Sequence, residues 1–191
     1  AAAAGKPVLV LDRPNPIGNR LCEGLILDES RFSSFVGEFA VPTRYGLTVG
    51  EYARYVNREK GIGCDLQVLA CEGWSPELYY DETDLLWVNP SPNIPSVDSA
   101  INYIGGCVYE ATNLSEGRGT TRPFDWLGAP FVDADRLLSE MNALHLPGVV
   151  FRKLCFTPMF NKHANTVCNG VELHITDRDA YRPFETMLHM F

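Results

Sequence analysis

Apolar residues in this chain fall into short blocks separated by polar turns, and the spacing within each block predicts an element. Val8 to Leu11 is a continuous apolar run, the pattern of a parallel strand buried on both faces. Residues 65 to 70 predict a second such strand. Between them the period becomes helical: Thr48 with Glu51 forms a capping box, and Val49, Tyr52, Ala53 and Val56 mark one face of a helix ending near Lys60 and Gly61. Strand, helix and strand in that order make a βαβ unit. Residues 19 to 47 read as a long irregular connection with Phe32, Phe35 and Phe39, the kind of segment that often carries function.

Farther along, residues 96 to 104 predict a short helix stopped by Gly105 and Gly106, and Cys107-Val108-Tyr109 a third strand. A helix over residues 133 to 144 buries Leu137, Leu138 and Met141, and Pro147 with Gly148 marks a domain boundary. Beyond it, strands are expected at 149 to 156 and 170 to 175, then an amphipathic helix over 177 to 191. The fold class expected is α/β. A Rossmann-like parallel sheet with helices over residues 1 to 147 precedes a small α+β domain over 148 to 191. Ala1 to Ala4 read as a helix tail stopped by Gly5, and the last helix has no stop signal, so the chain is expected to start and finish inside a longer fold.

Composition narrows the function. At 191 residues with a formal net charge of −8, the chain is a poor match for nucleic acid or an anionic membrane, both of which select basic surfaces. No apolar run approaches the roughly 20 residues of a spanning helix. The six cysteines and four histidines show no zinc spacing, and no metal or cofactor is expected. A small neutral or mildly charged ligand suits the chain better.

Candidate chemistry lies in the turns. Pro14 and Pro16 hold Asp12, Arg13 and Asn15 in an extended, stiff turn at the end of the first strand, where rigid backbone presents polar groups or where an Asp12–Arg13 pair simply caps the sheet. Trp74 and Trp87 flank an acidic aromatic segment, and Asn93 sits in the proline-rich stretch Pro90-Ser-Pro-Asn93; such indoles stack on sugar rings or pack in the core. The densest cluster is Glu110-Ala-Thr-Asn-Leu-Ser-Glu-Gly-Arg-Gly-Thr120, with Glu110, Asn113, Glu116 and Arg118. Gly117 and Gly119 bracket Arg118 and suit it to a planar anion or a polyhydroxylated ligand. The alternative is a polar turn in which Glu116 and Arg118 pair with each other. The three turns are expected along one edge of one sheet.

Val10-Leu-Asp-Arg-Pro-Asn-Pro16, Gly46-Leu-Thr-Val-Gly-Glu-Tyr-Ala53, Pro90-Ser-Pro-Asn93, the cluster at 110 to 120, and Pro123-Phe124 with Gly128-Ala-Pro130 together resemble the NamZ-type exo-β-N-acetylmuramidases of bacteria. The resemblance covers nearly the whole chain in order. It implies a secreted or periplasmic glycoside hydrolase that releases N-acetylmuramic acid from the non-reducing ends of peptidoglycan fragments. It also implies that the missing N-terminal half of the same fold is a partner of this chain. That half carries a Pro-Glu-His-Gly motif with the favoured catalytic glutamate, and no such motif occurs in these residues.

Glycosidic cleavage uses two carboxyl groups flanking the bond. Glu110 and Glu116 are the local candidates for an auxiliary catalytic acid or base. Arg118 is the candidate for a bidentate contact with the lactyl carboxylate, and Asp12, Arg13, Asn15, Asn93 and Asn113 are candidates for the remaining substrate contacts. A non-catalytic carbohydrate- or peptidoglycan-binding module is the alternative.

Overall fold

Val8–Leu11 (β1) and Leu66–Leu69 (β2) pair in parallel, Val8 opposite Leu66 and Leu11 opposite Leu69, in a computed structural model that describes all 191 residues. The helix between them, Val49–Glu59 (α2), starts with the expected capping box of Thr48 and Glu51. A short helix, Glu29–Phe32 (α1), interrupts the long connection. That connection is held inside by a buried ion pair between Arg44 and Glu23 at 3.0 Å, and Arg44 Nη2 also donates to the carbonyl of Ile17. α2 meets the strands through Gly50, where an added Cβ would lie 2.5 Å from Val68 Cγ1. The strands are not buried on both faces as their apolar pattern predicts. Val8, Val10, Leu66 and Val68 are half-buried, whereas Leu9, Leu11 and Leu69 are each more than 60% exposed, because no element of the first unit covers that face.

The chain divides into two units, Ala1–Trp87 and Val88–Phe191. The second contains helices Val97–Gly106 (α3), Ala134–Ala143 (α4) and Pro183–His189 (α5), and strands Trp126–Ala129 (β3), Val149–Phe156 (β4) and Cys168–Ile175 (β5). The strands form an antiparallel sheet in the order β3-β5-β4. The protein is therefore mixed α/β, with one parallel pair and one antiparallel sheet. No helix is long and apolar enough to cross a membrane.

Several expectations change. Cys107-Val108-Tyr109 is not a strand but part of a 3-10 turn, Cys107–Ala111, that continues directly from α3. Val97, Ile101, Ile104 and Val108 repeat at helical spacing, so the run extends the apolar face of α3. Tyr109 is fully buried, and its hydroxyl donates to the carbonyl of Met187 on α5. The final helix is shorter than expected. The Asp177 carboxylate accepts from the backbone N–H groups of Asp179 and Ala180, and Pro183, which cannot continue a helix from upstream, stands in the first helical turn. β3 was not expected: four residues containing a glycine carry little periodic signal. The boundary expected at Pro147 and Gly148 lies inside the second unit, where β3 before it pairs with β5 after it.

Gly128 and Gly170 face each other across β3 and β5. A Cβ on Gly170 would lie 1.9 Å from the carbonyl oxygen of Leu127 and 2.8 Å from Gly128 Cα, both backbone atoms that cannot step aside. Gly170→Ala is therefore expected to destabilise the second unit by about 3 kcal/mol. Urea unfolding with amide exchange at β3 and β5 reads this out; equal protection in the variant would show that the sheet absorbs the methyl group.

Candidate functional site

The stretch from Glu110 to Thr120 follows α3 and its 3-10 extension rather than a strand, and it is tied to β3 by the backbone bridge between Ser115 and Gly128. It therefore belongs to the second unit, as does the turn at Pro90 to Asn93, whereas the turn at Asp12 to Pro16 belongs to the first. Its course depends on two glycines. Gly117 and Gly119 have φ of 78° and 83°. A Cβ on Gly117 would lie 2.7 Å from the carbonyl oxygen of Trp126, and one on Gly119 2.5 Å from that of Phe160. Phe124 also adopts a positive φ, 67°. Such backbone is costly for a bulky residue and persists only where its surroundings enforce it. Here the N–H of Phe124 donates to the carbonyl of Glu116 at 2.7 Å, and its fully buried ring lies under the guanidinium of Arg118, 5.1 Å from the ring centroid.

At the centre is Glu116, with a side chain only 2% exposed. One of its oxygens pairs with Arg118 Nε at 3.3 Å and the other with Lys162 Nζ at 2.9 Å. Lys162 Nζ also donates to the carbonyls of Tyr109 and Leu114, at 2.6 and 3.0 Å. The ammonium thus has an acceptor for each of its three protons. Glu110 lies outside this buried set: its side chain is 43% exposed and makes one bond, 2.7 Å from Arg118 Nη2. Energetically the two pairs differ. An exposed ion pair contributes about 0–1 kcal/mol, whereas removing one partner of a buried pair costs about 3–5 kcal/mol.

Glu116 is thus built to hold Arg118 and the loop rather than to present a carboxylate, as in the paired alternative read from the sequence. Glu110 and Glu116 both address one guanidinium, which is not the arrangement of two carboxyl groups flanking a scissile bond. Asn113 is exposed; its backbone carbonyl accepts from His163 Nε2 at 2.7 Å, so that nitrogen carries the proton. Asn93 is half-buried, and its side chain makes no hydrogen bond within the protein.

In the first unit, Asp12 is engaged by its own fold. Its carboxylate accepts from Thr48 Oγ1 at 2.7 Å, from the N–H of Gly50 at 2.8 Å and from the N–H of Arg13 at 3.0 Å, joining the end of β1 to the start of α2. Burial acts to raise its pKa, but these hydrogen bonds and Arg54 outweigh it and hold the carboxyl below the usual range. Asn15 is also engaged: its amide donates to the carbonyl of Leu47 and its oxygen accepts from the N–H of Ile17. Arg13 is exposed, with Nη2 3.4 Å from the hydroxyl of Tyr80. Beyond the ends of β1 and β2 lies a cavity of about 320 Å³, lined by Pro14, Glu72, Trp74, Leu78, Glu82 and Asp84, among others. Trp74 faces this cavity, whereas Trp87 packs edge-on against Tyr80 with 5.4 Å between ring centroids.

Sequence reading missed Lys162 and Asp125. Lys162 stands alone in the loop between β4 and β5, far from the cluster in sequence, and no local pattern marks it. Asp125 is 4% exposed and accepts from Asn102 at 2.9 Å, while Asn102 accepts from the hydroxyl of Tyr181 at 2.8 Å. Burial pushes the Asp125 carboxyl up, partly offset by Asn102, Arg122 and Ser99. Its position after Pro123 and Phe124 resembles an ordinary turn.

Residues 1–98 match the family model described as exo-beta-N-acetylmuramidase NamZ, N-terminal, and residues 101–191 match its C-terminal counterpart. The chain belongs to the NamZ exo-beta-N-acetylmuramidase family. It is 47% identical over 184 residues to the peptidoglycan beta-N-acetylmuramidase NamZ of Bacillus subtilis (strain 168), covering 96% of this chain and 44% of that protein. Two crystal structures of DUF1343 family proteins from Bacteroides fragilis NCTC 9343 are also similar. One is 36% identical with a TM-score of 0.94, covering all of this chain and 50% of that one. The other is 32% identical with a TM-score of 0.73, covering 94% of this chain and 47% of that one. The chain spans about half the length of the NamZ family relatives it matches.

The role of Asp12 as a brace has a pH signature. Its unfolded carboxyl titrates near 3.8 and its folded one lower, so its stabilisation is complete above pH 3.8 and is lost as pH falls through the folded value. Asp12→Ala is expected to cost the first unit about 2 kcal/mol at neutral pH and to flatten its acid-unfolding profile. Chemical denaturation at pH 7 and pH 3 measures both; an unchanged acid limb would remove Asp12 as the group responsible.

Proposed function

We propose that the protein is a glycoside hydrolase releasing N-acetylmuramic acid from the non-reducing ends of peptidoglycan fragments, and that this chain supplies part of its substrate-binding surface. The observation that carries this reading is Arg118, a guanidinium fixed on a rigid two-glycine loop in a chain 47% identical to a peptidoglycan beta-N-acetylmuramidase. Its planar fork matches a carboxylate, and the lactyl group distinguishes muramic acid from other N-acetylhexosamines. Asn93 and Asn113, whose side chains are not consumed by the fold, are the amides we assign to sugar hydroxyl or acetamido contacts. The cavity beside Trp74 offers an aromatic wall for an uncharged sugar face, and the negative charge of Glu72, Glu82 and Asp84 around it disfavours an anion there.

Glu110 and Glu116 are not arranged as an acid and base pair, so the reaction draws at least one carboxyl group from elsewhere in the protein. The family resemblance assigns it to the Pro-Glu-His-Gly motif of an N-terminal half, which is also the partner we propose for this chain. We propose further that β1 and β2 belong to a larger Rossmann-like parallel sheet. Their parallel register through a helical crossover supports this, as does the uncovered face of Leu9, Leu11 and Leu69. Export to the cell surface or periplasm would bring the enzyme to its polymer.

One observation favours the second reading, a non-catalytic carbohydrate-binding module: both glutamates of the cluster are committed to Arg118. Turnover separates the two. In a protein carrying this chain together with the upstream region of its relatives, release of N-acetylmuramic acid from a chromogenic muramide is expected, and Arg118→Ala should lower kcat/KM roughly 100-fold. Binding of peptidoglycan fragments without release would establish the module instead.

A further inference from the structure

We infer that Glu110 holds the place of a ligand carboxylate on Arg118, and that Lys162, acting through Glu116, fixes the guanidinium that receives it. This rests on the proposed contact between Arg118 and the lactyl carboxylate, and it adds an exchange step to that contact.

The two carboxylates around Arg118 have opposite surroundings. Glu116 is 2% exposed and has both oxygens engaged, one by Arg118 Nε and the other by Lys162 Nζ. Glu110 is 43% exposed, and a single bond to Arg118 Nη2 is its sole hydrogen bond. Arg118 Nη1 has no partner in the protein. The guanidinium is thus anchored at Nε and stacked over the Phe124 ring, while its outer edge, Nη1 and Nη2, faces an exposed carboxylate on a short tether. A carboxylate-bearing sugar that approaches this edge meets Glu110 already bonded there, and two carboxylates cannot share Nη2 without repulsion. Glu110 swings into solvent and the ligand takes its bond. Charge balance is the same before and after, and no covalent bond changes.

Lys162 makes this asymmetry possible. With Lys162 present, Glu116 has a second cation and needs only one edge of Arg118. Without it, the buried carboxylate has Arg118 as its one cationic partner, and the guanidinium turns inward to meet both oxygens, withdrawing the edge that a ligand needs. Lys162 is therefore a positioning residue. Its Nζ also ties the carbonyls of Tyr109 and Leu114 on either side of Glu110 and Asn113, so the tether of Glu110 is anchored while its carboxylate is not.

The test uses calorimetric titration of the longer protein that carries the upstream region, with methyl N-acetylmuramide and methyl N-acetylglucosaminide, which differ by the lactyl group. Glu110→Gln removes the competing charge and is expected to tighten the muramide roughly fivefold while leaving the glucosaminide within about twofold. Lys162→Met is expected to weaken the muramide at least roughly tenfold with little change for the glucosaminide. If Lys162→Met does not fold, Lys162→Gln, which keeps a hydrogen-bond donor but no charge, carries the same expectation. Muramide affinity unchanged or lowered in Glu110→Gln, or equal losses for both ligands in the variant that removes the clamp, would overturn the inference. Arg118→Ala keeps the two levels apart. If it abolishes the preference for the muramide while Glu110→Gln has no effect, only the exchange falls. If the preference survives Arg118→Ala, the carboxylate contact itself is wrong.

Discussion

A carboxylate buried to 2% exposure needs cationic and hydrogen-bonding partners, and the second unit is arranged around meeting that need for Glu116. Lys162 comes from the loop between β4 and β5, Arg118 from the same turn as Glu116, and the backbone carbonyls of Tyr109 and Leu114 complete the shell of the lysine. Each contribution fixes a different part of the chain. The end of the α3 extension, the glycine loop and the loop between β4 and β5 converge on one charge. Gly117 and Gly119 are required because the loop passes within contact distance of the carbonyls of Trp126 and Phe160, where a side chain has no room. The positive φ of Phe124 belongs to the same constraint, since its N–H closes on Glu116 and its ring supports Arg118.

The first unit solves a similar problem with different groups. Asp12 ends a parallel strand and receives the N-terminus of the helix that follows, through Thr48 Oγ1 and the N–H of Gly50. Gly50 is what lets α2 approach closely enough for that contact. Arg44 and Glu23 form a second buried pair, which explains how residues 19 to 47 keep a defined course with almost no regular secondary structure. In both units, polar residues that resemble a binding site in sequence are partly spent on making irregular backbone rigid.

This is also where sequence reading succeeds and where it stops. The capping box at Thr48 and Glu51, the strands at 8 to 11 and at 66 to 69, α4 and the existence of strands β4 and β5 follow from periodicity and caps, which are local. The strand expected at 107 to 109 fails because three apolar residues carry no period of their own, and only the spacing from Val97 through Ile101 and Ile104 to Val108 shows that they continue a helix. β3 escapes notice because its four residues owe their pairing to Gly170, more than forty positions away. The cluster at 110 to 120 was legible as a place where charge concentrates. Its wiring was not, because the residue that decides it, Lys162, is distant in sequence and unremarkable in its own neighbourhood.

The distinction that matters for function is between polar groups consumed by the fold and polar groups presented by it, and hydrogen-bond accounting makes that division residue by residue. Asp12, Asn15 and Glu116 have their acceptors filled from within their own unit. The side chains of Asn93 and Asn113 and the outer edge of Arg118 do not. Glu110 belongs to neither class: it is exposed yet bonded, through a contact weak enough to exchange. A pair of glutamates close together in a NamZ family sequence invites assignment as acid and base, but that chemistry needs carboxyl groups on opposite sides of a bond with different proton affinities. Two glutamates gripping one guanidinium fix its position instead. On the function proposed above, the catalytic demand falls on a carboxyl group outside this pair, and the cluster keeps the task its geometry suits, holding the outer edge of Arg118 in place.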